Sequence, residues 1–410
     1  MRILVSETIS EQCALTHQQK KQCHFCLNEA PHLFYHYYHY GYQAVIYYCR
    51  SCITHNVHSK KYLHLQPTPV LREHININLP FTLTAQQQHA SLYIVEQINL
   101  RQSCLLHAVT GAGKTEMILE GIVHVRQLGG NVAVVSPRTD VVKELSLRLN
   151  AYLETDNRCT LYGGHAEITS EHLIISTIHQ LVHFQDHFDL IIVDEIDAFP
   201  VGNDPRLMKL LNRALSSEGI FVYLSATPPK YIQSVCQDST VYLPLRYHER
   251  PLPVPTFQYL NHQHITRKIN PLLQQVSHQQ VILIFFHDIS LMEKTFELLK
   301  DELKVKSICV YSNDHERHDK VDAIRQGAYQ FVFTTTILER GFTMQGLSVW
   351  VFNSHLFKSD SLIQIAGRVD RKGETQNGEV IYFHDGISLS MLQARKEIQK
   401  MNHRGAHVSE

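Results

Sequence analysis

From about residue 83 onward, short apolar runs alternate with amphipathic stretches. NVAVVSP is followed by DVVKELSLRLNAYL, and VILIFF by SLMEKTFELLKDEL. A continuous apolar run of four to six residues suits a strand buried on both faces, and the helical period that follows suits a crossover helix. The pattern predicts parallel α/β architecture. Two proline-rich segments interrupt it. QPTPVLREHININLPF has no helical period and reads as a linker or short extended piece; RPLPVPTF separates two α/β stretches of similar size. The predicted organisation is an N-terminal module over 1–65, a linker over 66–82, an α/β domain over 83–249, a linker over 250–257, a second α/β domain over 258–390, and a tail over 391–410 whose end, HRGAHVSE, is expected to fray.

Composition changes this picture little. With 44% apolar and 19% charged residues over 410 positions, the chain reads as globular. No apolar run has the length of a membrane span, and the start, MRILVSETISEQC, is too polar for a signal peptide. A cytoplasmic location is expected. Net charge is −1, so any nucleic-acid surface must be local. The 28 histidines are scattered and read mostly as surface residues.

The cysteines do change it. Cys23 and Cys26 form one C-x-x-C pair, and Cys49 and Cys52 a second. Each pair presents two thiolates on a tight knuckle, and two knuckles complete a tetrahedral Zn²⁺ site with no position left for a water. Such a site is structural. A module this small depends on its metal, so metal loss is expected to unfold it while the α/β part stays folded. Cys13, Cys104, Cys159, Cys236 and Cys309 lack partners at useful spacing. Between the pairs runs LFYHYYHYGYQAVIYY. It admits two readings: an aromatic surface that stacks on bases, and a hairpin whose alternating rings pack the module, which is the ordinary one.

Candidate chemistry centres on AVTGAGKTE at 108–116, between the apolar run CLLH and the helical stretch MILEGIVHV. Strand, flexible loop and helix start are the context of a phosphate loop. Thr110, Gly111, Ala112, Gly113 and Glu116 belong to the loop that wraps ATP; Lys114 reaches the β/γ-phosphates and the Thr115 hydroxyl serves Mg²⁺. Ala108 stands where the full pattern begins with Gly. A metal-holding acid is expected at another strand end, and FDLIIVDEIDAFP supplies Asp194 for Mg²⁺ and Glu195 to orient or deprotonate the attacking water.

AxTGxGKT followed by DExD resembles the superfamily 2 helicases and translocases, which implies two tandem RecA-like domains. Their further motifs follow in order: Ser225-Ala226-Thr227 after IFVYL, TTTILERGFT at 334–343, and QIAGRVDR at 364–371. On a helix Gln364, Arg368 and Arg371 share a face. The resemblance makes Arg371 the arginine finger, with Arg368 binding phosphate or bracing the cleft; a planar guanidinium pairs two phosphate oxygens better than an ammonium does. Asp370 stands where relatives often carry Gly. LTAQQQHA resembles the segment whose Gln reads adenine; Gln87 fits, with Gln86 and Gln88 as neighbouring registers, and a polar helix start is the other reading.

The four-cysteine module together with DEIDAFP, SPRTDVVKEL, STIHQLVHF and TTTILERG is similar to the ComFA family, over essentially the entire chain. That resemblance implies an ATP-driven motor on single-stranded DNA that serves uptake of transforming DNA. It implies the partners ComFC and the ComEC channel, and a place at the inner face of the membrane. The motor analogy puts Pro137-Arg138, Thr177, Ile178, His179, Gln180, Thr335 and Thr336 on the DNA track, where each also fits an ordinary loop. A PriA-like helicase and an ATP-switched scaffold without processive motion are the alternative functions.

Overall fold

The computed structural model describes residues 2–7, 12–13, 15–16, 22–55, 57–60, 62–163, 171–201, 204–260, 281–300, 306–312, 314, 316–339, 342, 344, 346–370 and 378–407. The chain forms two compact units, Met1–Leu106 with Lys114–Val241, and His107–Gly113 with Tyr242–Glu410. Arg371 and parts of 334–343 lie outside the described residues.

The N-terminal part contributes β1 (Arg2–Glu7), β2 (Gln12–Cys13), β3 (Leu15–Thr16), β4 (Gln22–Cys23), β5 (Phe34–His39), β6 (Ala44–Cys49) and β7 (Tyr62–Pro67). Strands β5 and β6 form an antiparallel hairpin in which Phe34 pairs with Cys49 and His39 with Ala44. Residues 68–84 carry no strand or helix but are anchored. Buried Arg126 donates to the carbonyl of Leu71 (2.9 Å) and to the Glu73 carboxylate (3.3 Å).

The α/β part of the first unit follows with α1 (Ala85–Asn99), β8 (Cys104–Ala108), α2 (Lys114–Met117), α3 (Leu119–Leu128), β9 (Val132–Ser136), α4 (Thr139–Tyr152), β10 (Arg158–Leu161), β11 (Leu173–Thr177), β12 (Phe184–Gln185), β13 (Phe188–Asp194), α5 (Pro205–Ala214), β14 (Leu215–Ser225), α6 (Lys230–Val235) and β15 (Thr240–Leu243). Seven strands make one sheet in the order β10-β11-β9-β13-β14-β8-β15. The five from β10 to β14 pair in parallel, as their unbroken apolar faces require. All five residues of β9 and of β11 are buried.

β1 extends this unit by pairing antiparallel with both β7 and β12. The knuckle cysteines, Phe25 and Phe34 share one apolar cluster with Val182, Phe184, Leu207 and Leu210. The cysteine-bearing segment is therefore packed into the first unit's core.

The second unit holds β16 (Thr256–Tyr259), β17 (Val281–Phe285), β18 (Ser307–Val310), β19 (Phe331–Thr334), β20 (Leu347–Val351) and β21 (Val380–His384), in the all-parallel order β16-β21-β20-β17-β19-β18. Its core stacks Phe286 on Phe333 and Phe352. Among the described residues, no helix is long and apolar enough to cross a membrane.

Candidate nucleotide site and cysteine centre

In the sheet, β13, β14 and β8 are neighbours. The acids Asp194-Glu195, the Ser225 motif and the phosphate loop leave their carboxyl ends, the position at which open parallel sheets bind ligands. Gly111 and Gly113 have φ of 81° and 82°, left-handed values that glycine adopts without a Cβ penalty. Lys114 opens α2, and Thr115 and Glu116 are buried in it. Burial raises the Glu116 carboxyl, opposed by Arg148 at 3.9 Å.

Asp194 ends β13 buried. Desolvation pushes its carboxyl up to about 6; the Lys114 ammonium pulls the other way, and Glu195 and Asp197 add to the rise. This is a site built for cationic company. Glu195 sits at φ 56°, a strained left-handed turn for a residue with a side chain, and its N–H donates to the Asp194 carboxylate at 3.0 Å.

Asp197 was not among the sequence candidates, although the DExD spacing contains it. Its carboxylate accepts from the Ser225 hydroxyl at 2.7 Å and from the Thr227 hydroxyl at 2.7 Å, and Ser225 in turn accepts from the Thr227 N–H at 3.0 Å. Asp197 thereby ties the segment after β14 to the acid turn after β13.

Gln87 has a defined partner. Its carboxamide oxygen accepts from the Thr84 N–H at 2.9 Å while the Thr84 hydroxyl accepts from the Gln87 N–H at 3.4 Å, a reciprocal cap on α1. Gln88 is exposed. Both amide atoms of Gln86 are buried without a hydrogen-bond partner, so the neighbouring register offers an amide with binding capacity to spare.

Within the second unit, which includes the loop residues His107–Gly113, Gly367 packs on Thr110 so tightly that a Cβ there would lie 1.8 Å from the threonine hydroxyl. Buried Arg246 donates to the carbonyl of Val369 at 2.6 Å, and the Tyr247 N–H to the carbonyl of Gly111 at 3.1 Å. Gln364 and Arg368 are buried. The Arg368 guanidinium donates to the carbonyls of Glu339 (2.8 Å) and Phe342 (2.7 Å) and so anchors those two residues. Of the track residues, Thr177, Ile178 and Gln180 are buried, His179 and Arg138 reach the surface, and Thr335 and Thr336 follow β19.

The cysteine centre is compact. Cys23 Sγ lies 3.7 Å from Cys52 Sγ and Cys26 Sγ 3.8 Å from Cys49 Sγ, with all four sulfurs within 4.8 Å of one another. Tetrahedral Zn–S bonds of about 2.3 Å imply S···S separations of about 3.8 Å, so the four sulfurs fit a zinc ion. The Asn28 amide donates to Cys49 Sγ at 3.5 Å. A spacing argument could not supply what surrounds the knuckles. Helix α5 carries Arg206, Lys209 and Arg213, residues at one helical stripe. Arg213 donates to the carbonyls of His24 and Phe25 (2.9 Å each) and of Val182 (2.8 Å). Arg206 donates to the Ser51 hydroxyl at 3.0 Å, and Lys209 pairs with Glu29 at 3.2 Å.

Fold, loop and acids define a helicase-class ATPase with two parallel-sheet domains. Residues 80–230 match the family described as type III restriction enzyme, res subunit, and 265–373 match the helicase conserved C-terminal domain. Residues 2–65 match the competence protein ComFA N-terminal domain. The chain is 36% identical over 378 residues to competence protein ComFA of Bacillus subtilis, covering 88% of this chain and 81% of that one. It is 34% identical over 374 residues to competence protein ComFA of Streptococcus pneumoniae, covering 87% and 86%. The chain belongs to the ComFA family. Among solved structures it resembles yeast Dbp5 bound to RNA and ADP BeF3, with a TM-score of 0.55 and 17% identity over 78% of this chain and 91% of that one. It also resembles RecG bound to a three-way DNA junction, with a TM-score of 0.55 and 18% identity over 82% and 49%. At these identities the likeness concerns the fold.

Proposed function

We propose that this competence-associated ATPase is a motor that moves along single-stranded DNA during uptake of transforming DNA. The observation that carries the reading is the Asp197 linkage: one carboxylate joins the turn bearing Asp194 and Glu195 to the hydroxyls of Ser225 and Thr227. Hydrolysis can then be felt in a segment that couples to nucleic acid in related motors. In this reading Thr110, Gly111, Ala112, Gly113 and Glu116 form the cradle and Lys114 holds the β/γ-phosphates. Thr115 and Asp194 hold Mg²⁺, Glu195 orients the attacking water, and Gln87 reads the adenine edge. Bound Mg²⁺ would neutralise phosphate charge as the γ-phosphoryl leaves. Arg371 supplies positive charge to the same phosphoryl, and Arg368 braces the strand-following loop. Cys23, Cys26, Cys49 and Cys52 hold a structural Zn²⁺.

Beyond the chain itself, the reading places the motor in the cytoplasm at the inner face of the membrane, with ComFC and the ComEC channel as partners. The family resemblance supports these assignments. The test is ATPase activity with and without single-stranded DNA, on the wild type and on Lys114→Ala. DNA should raise the wild-type rate and Lys114→Ala should abolish it. A wild-type rate indifferent to DNA would refute the motor.

A further inference from the structure

Residues 30–72 contain no Asp or Glu, although the chain carries 39 acidic residues over 410 positions. Glu29 and Glu73 bound the gap, and inside it lie Arg50, Lys60, Lys61 and Arg72. In a chain of net charge −1 this is a strong local asymmetry. The hairpin β5–β6 occupies its centre.

Phe34 and Tyr47 of the hairpin pack on the apolar cluster of the knuckles, while its other tyrosines along β5 face solvent. Phe25, Phe34 and Ile46 are buried, whereas Tyr35, Tyr37, Tyr38 and Tyr40 are 43%, 48%, 52% and 86% exposed. Tyr35 and Tyr37 point to one face of β5, with their centroids 6.3 Å and 5.8 Å from Tyr48 on β6. The Arg50 guanidinium lies 5.1 Å over the Tyr35 ring. Alternate residues of a strand are roughly 7 Å apart, near the stride of bases in a stretched single strand. On the opposite face of β5, Tyr38 forms an edge-to-face pair with Tyr40 at 5.3 Å.

Charge agrees with the rings. Exposed π-faces in an acid-free stretch of sequence, with the Arg50 guanidinium over one of them, suit a polyanion whose bases are unstacked.

We infer that the β5–β6 hairpin is a single-stranded DNA stacking surface that grips bases outside the α/β sheets. This deepens the motor reading and rests on it. A protein partner is the competing occupant, and it would not require bases.

The test uses the full zinc-loaded chain and fluorescence anisotropy on labelled oligo-dT of about 20 nucleotides, long enough for several stacked bases, and on the same oligomer made abasic. Tyr35→Ala/Tyr37→Ala should weaken oligo-dT binding at least roughly ten-fold, given the worth of base–aromatic stacking. Its affinity should then depend less on the presence of bases, and Tyr35→Trp/Tyr37→Trp should restore wild-type binding. Zinc content, melting temperature and DNA-free ATPase should stay at wild-type values. Wild-type affinity in the alanine variant overturns the surface while leaving the motor intact and points to a protein contact. An equal loss on abasic and normal strands also overturns it, because charge or folding would then be responsible. A wild type that binds no single strand overturns the motor reading and this surface with it.

Discussion

Thr227 donates its hydroxyl to the Asp197 carboxylate at 2.7 Å, across thirty positions of sequence. With Ser225 on the other oxygen, Asp197 spends its charge inside the protein. Hydrogen bonds to a charged group contribute about 1.5–3 kcal/mol each. Asp197→Ala should therefore leave nucleotide affinity within about three-fold and cut DNA-stimulated turnover roughly 10- to 100-fold. Steady-state ATPase against oligonucleotide concentration decides it; unchanged stimulation would mean the linkage carries nothing.

Lys114→Ala and Glu195→Gln should differ in kind. The first removes phosphate binding, so nucleotide affinity and turnover fall together. The second keeps the shape of the turn at φ 56° while disabling water activation, so ATP should bind and persist. Near-normal hydrolysis by Glu195→Gln would take that residue out of the catalytic role.

Much of the site could be read because its residues are adjacent in the chain. The phosphate loop, Asp194-Glu195 and the two C-x-x-C pairs are contiguous motifs, and strand ends bring them to use. The Thr84-x-x-Gln87 cap is also local, and the polar helix start it forms was one of the two readings of LTAQQQHA. What could not be read is pairing across distance. Arg213 meets His24 and Phe25 nearly two hundred positions away, and no periodicity in α5 names its partner. The same holds for the aromatic stretch. Its alternation fits a hairpin, but which rings pack and which stay exposed depends on the surface it meets.

That long-range packing revises the expected effect of metal loss. The knuckles share an apolar cluster with Phe184, Leu207 and Leu210, so they cannot come apart without uncovering part of the first unit's core. Cys23→Ser/Cys26→Ser should lower the melting temperature of the first unit on the order of 10 °C or more. Arg213→Met should shift it the same way by less. Calorimetry showing an intact high-temperature transition would mean that the knuckles unfold alone.

His187 gives the first unit an acid limit. It is buried, and its Nε2 accepts from the Asn131 amide at 3.1 Å, while that amide also donates to the His187 carbonyl at 3.2 Å. Burial pushes the imidazole down to about 3 from an ordinary 6.5. The folded pKa lies below the unfolded one, so the unfolded chain binds the extra proton. This stability is complete above pH 6.5 and is lost as pH falls toward 3, by up to about 1.4 kcal/mol per unit. Urea midpoints at several pH values, compared with His187→Asn, should show a flatter acid slope in the variant. Identical slopes would assign the acid sensitivity elsewhere.

Arg368 and Arg371 stand three positions apart and should fail differently. Arg368 is buried with its guanidinium on the carbonyls of Glu339 and Phe342. Its replacement by Ala strands one buried and one part-buried acceptor, which should cost about 2–4 kcal/mol of second-unit stability. Arg371, as the finger, should behave in the opposite way. Arg371→Ala should melt like the wild type and bind nucleotide with near-normal affinity, yet hydrolyse it roughly three orders of magnitude more slowly. Single-stranded DNA should rescue little of that rate, because no guanidinium reaches the γ-phosphoryl however the chain closes. Arg371→Lys should recover only part, since an ammonium cannot reproduce the planar fork. Melting curves, nucleotide affinities and DNA-stimulated rates for the three variants separate the roles. If Arg371→Ala keeps full stimulated turnover while a folded Arg368→Ala loses it, the two assignments must be exchanged.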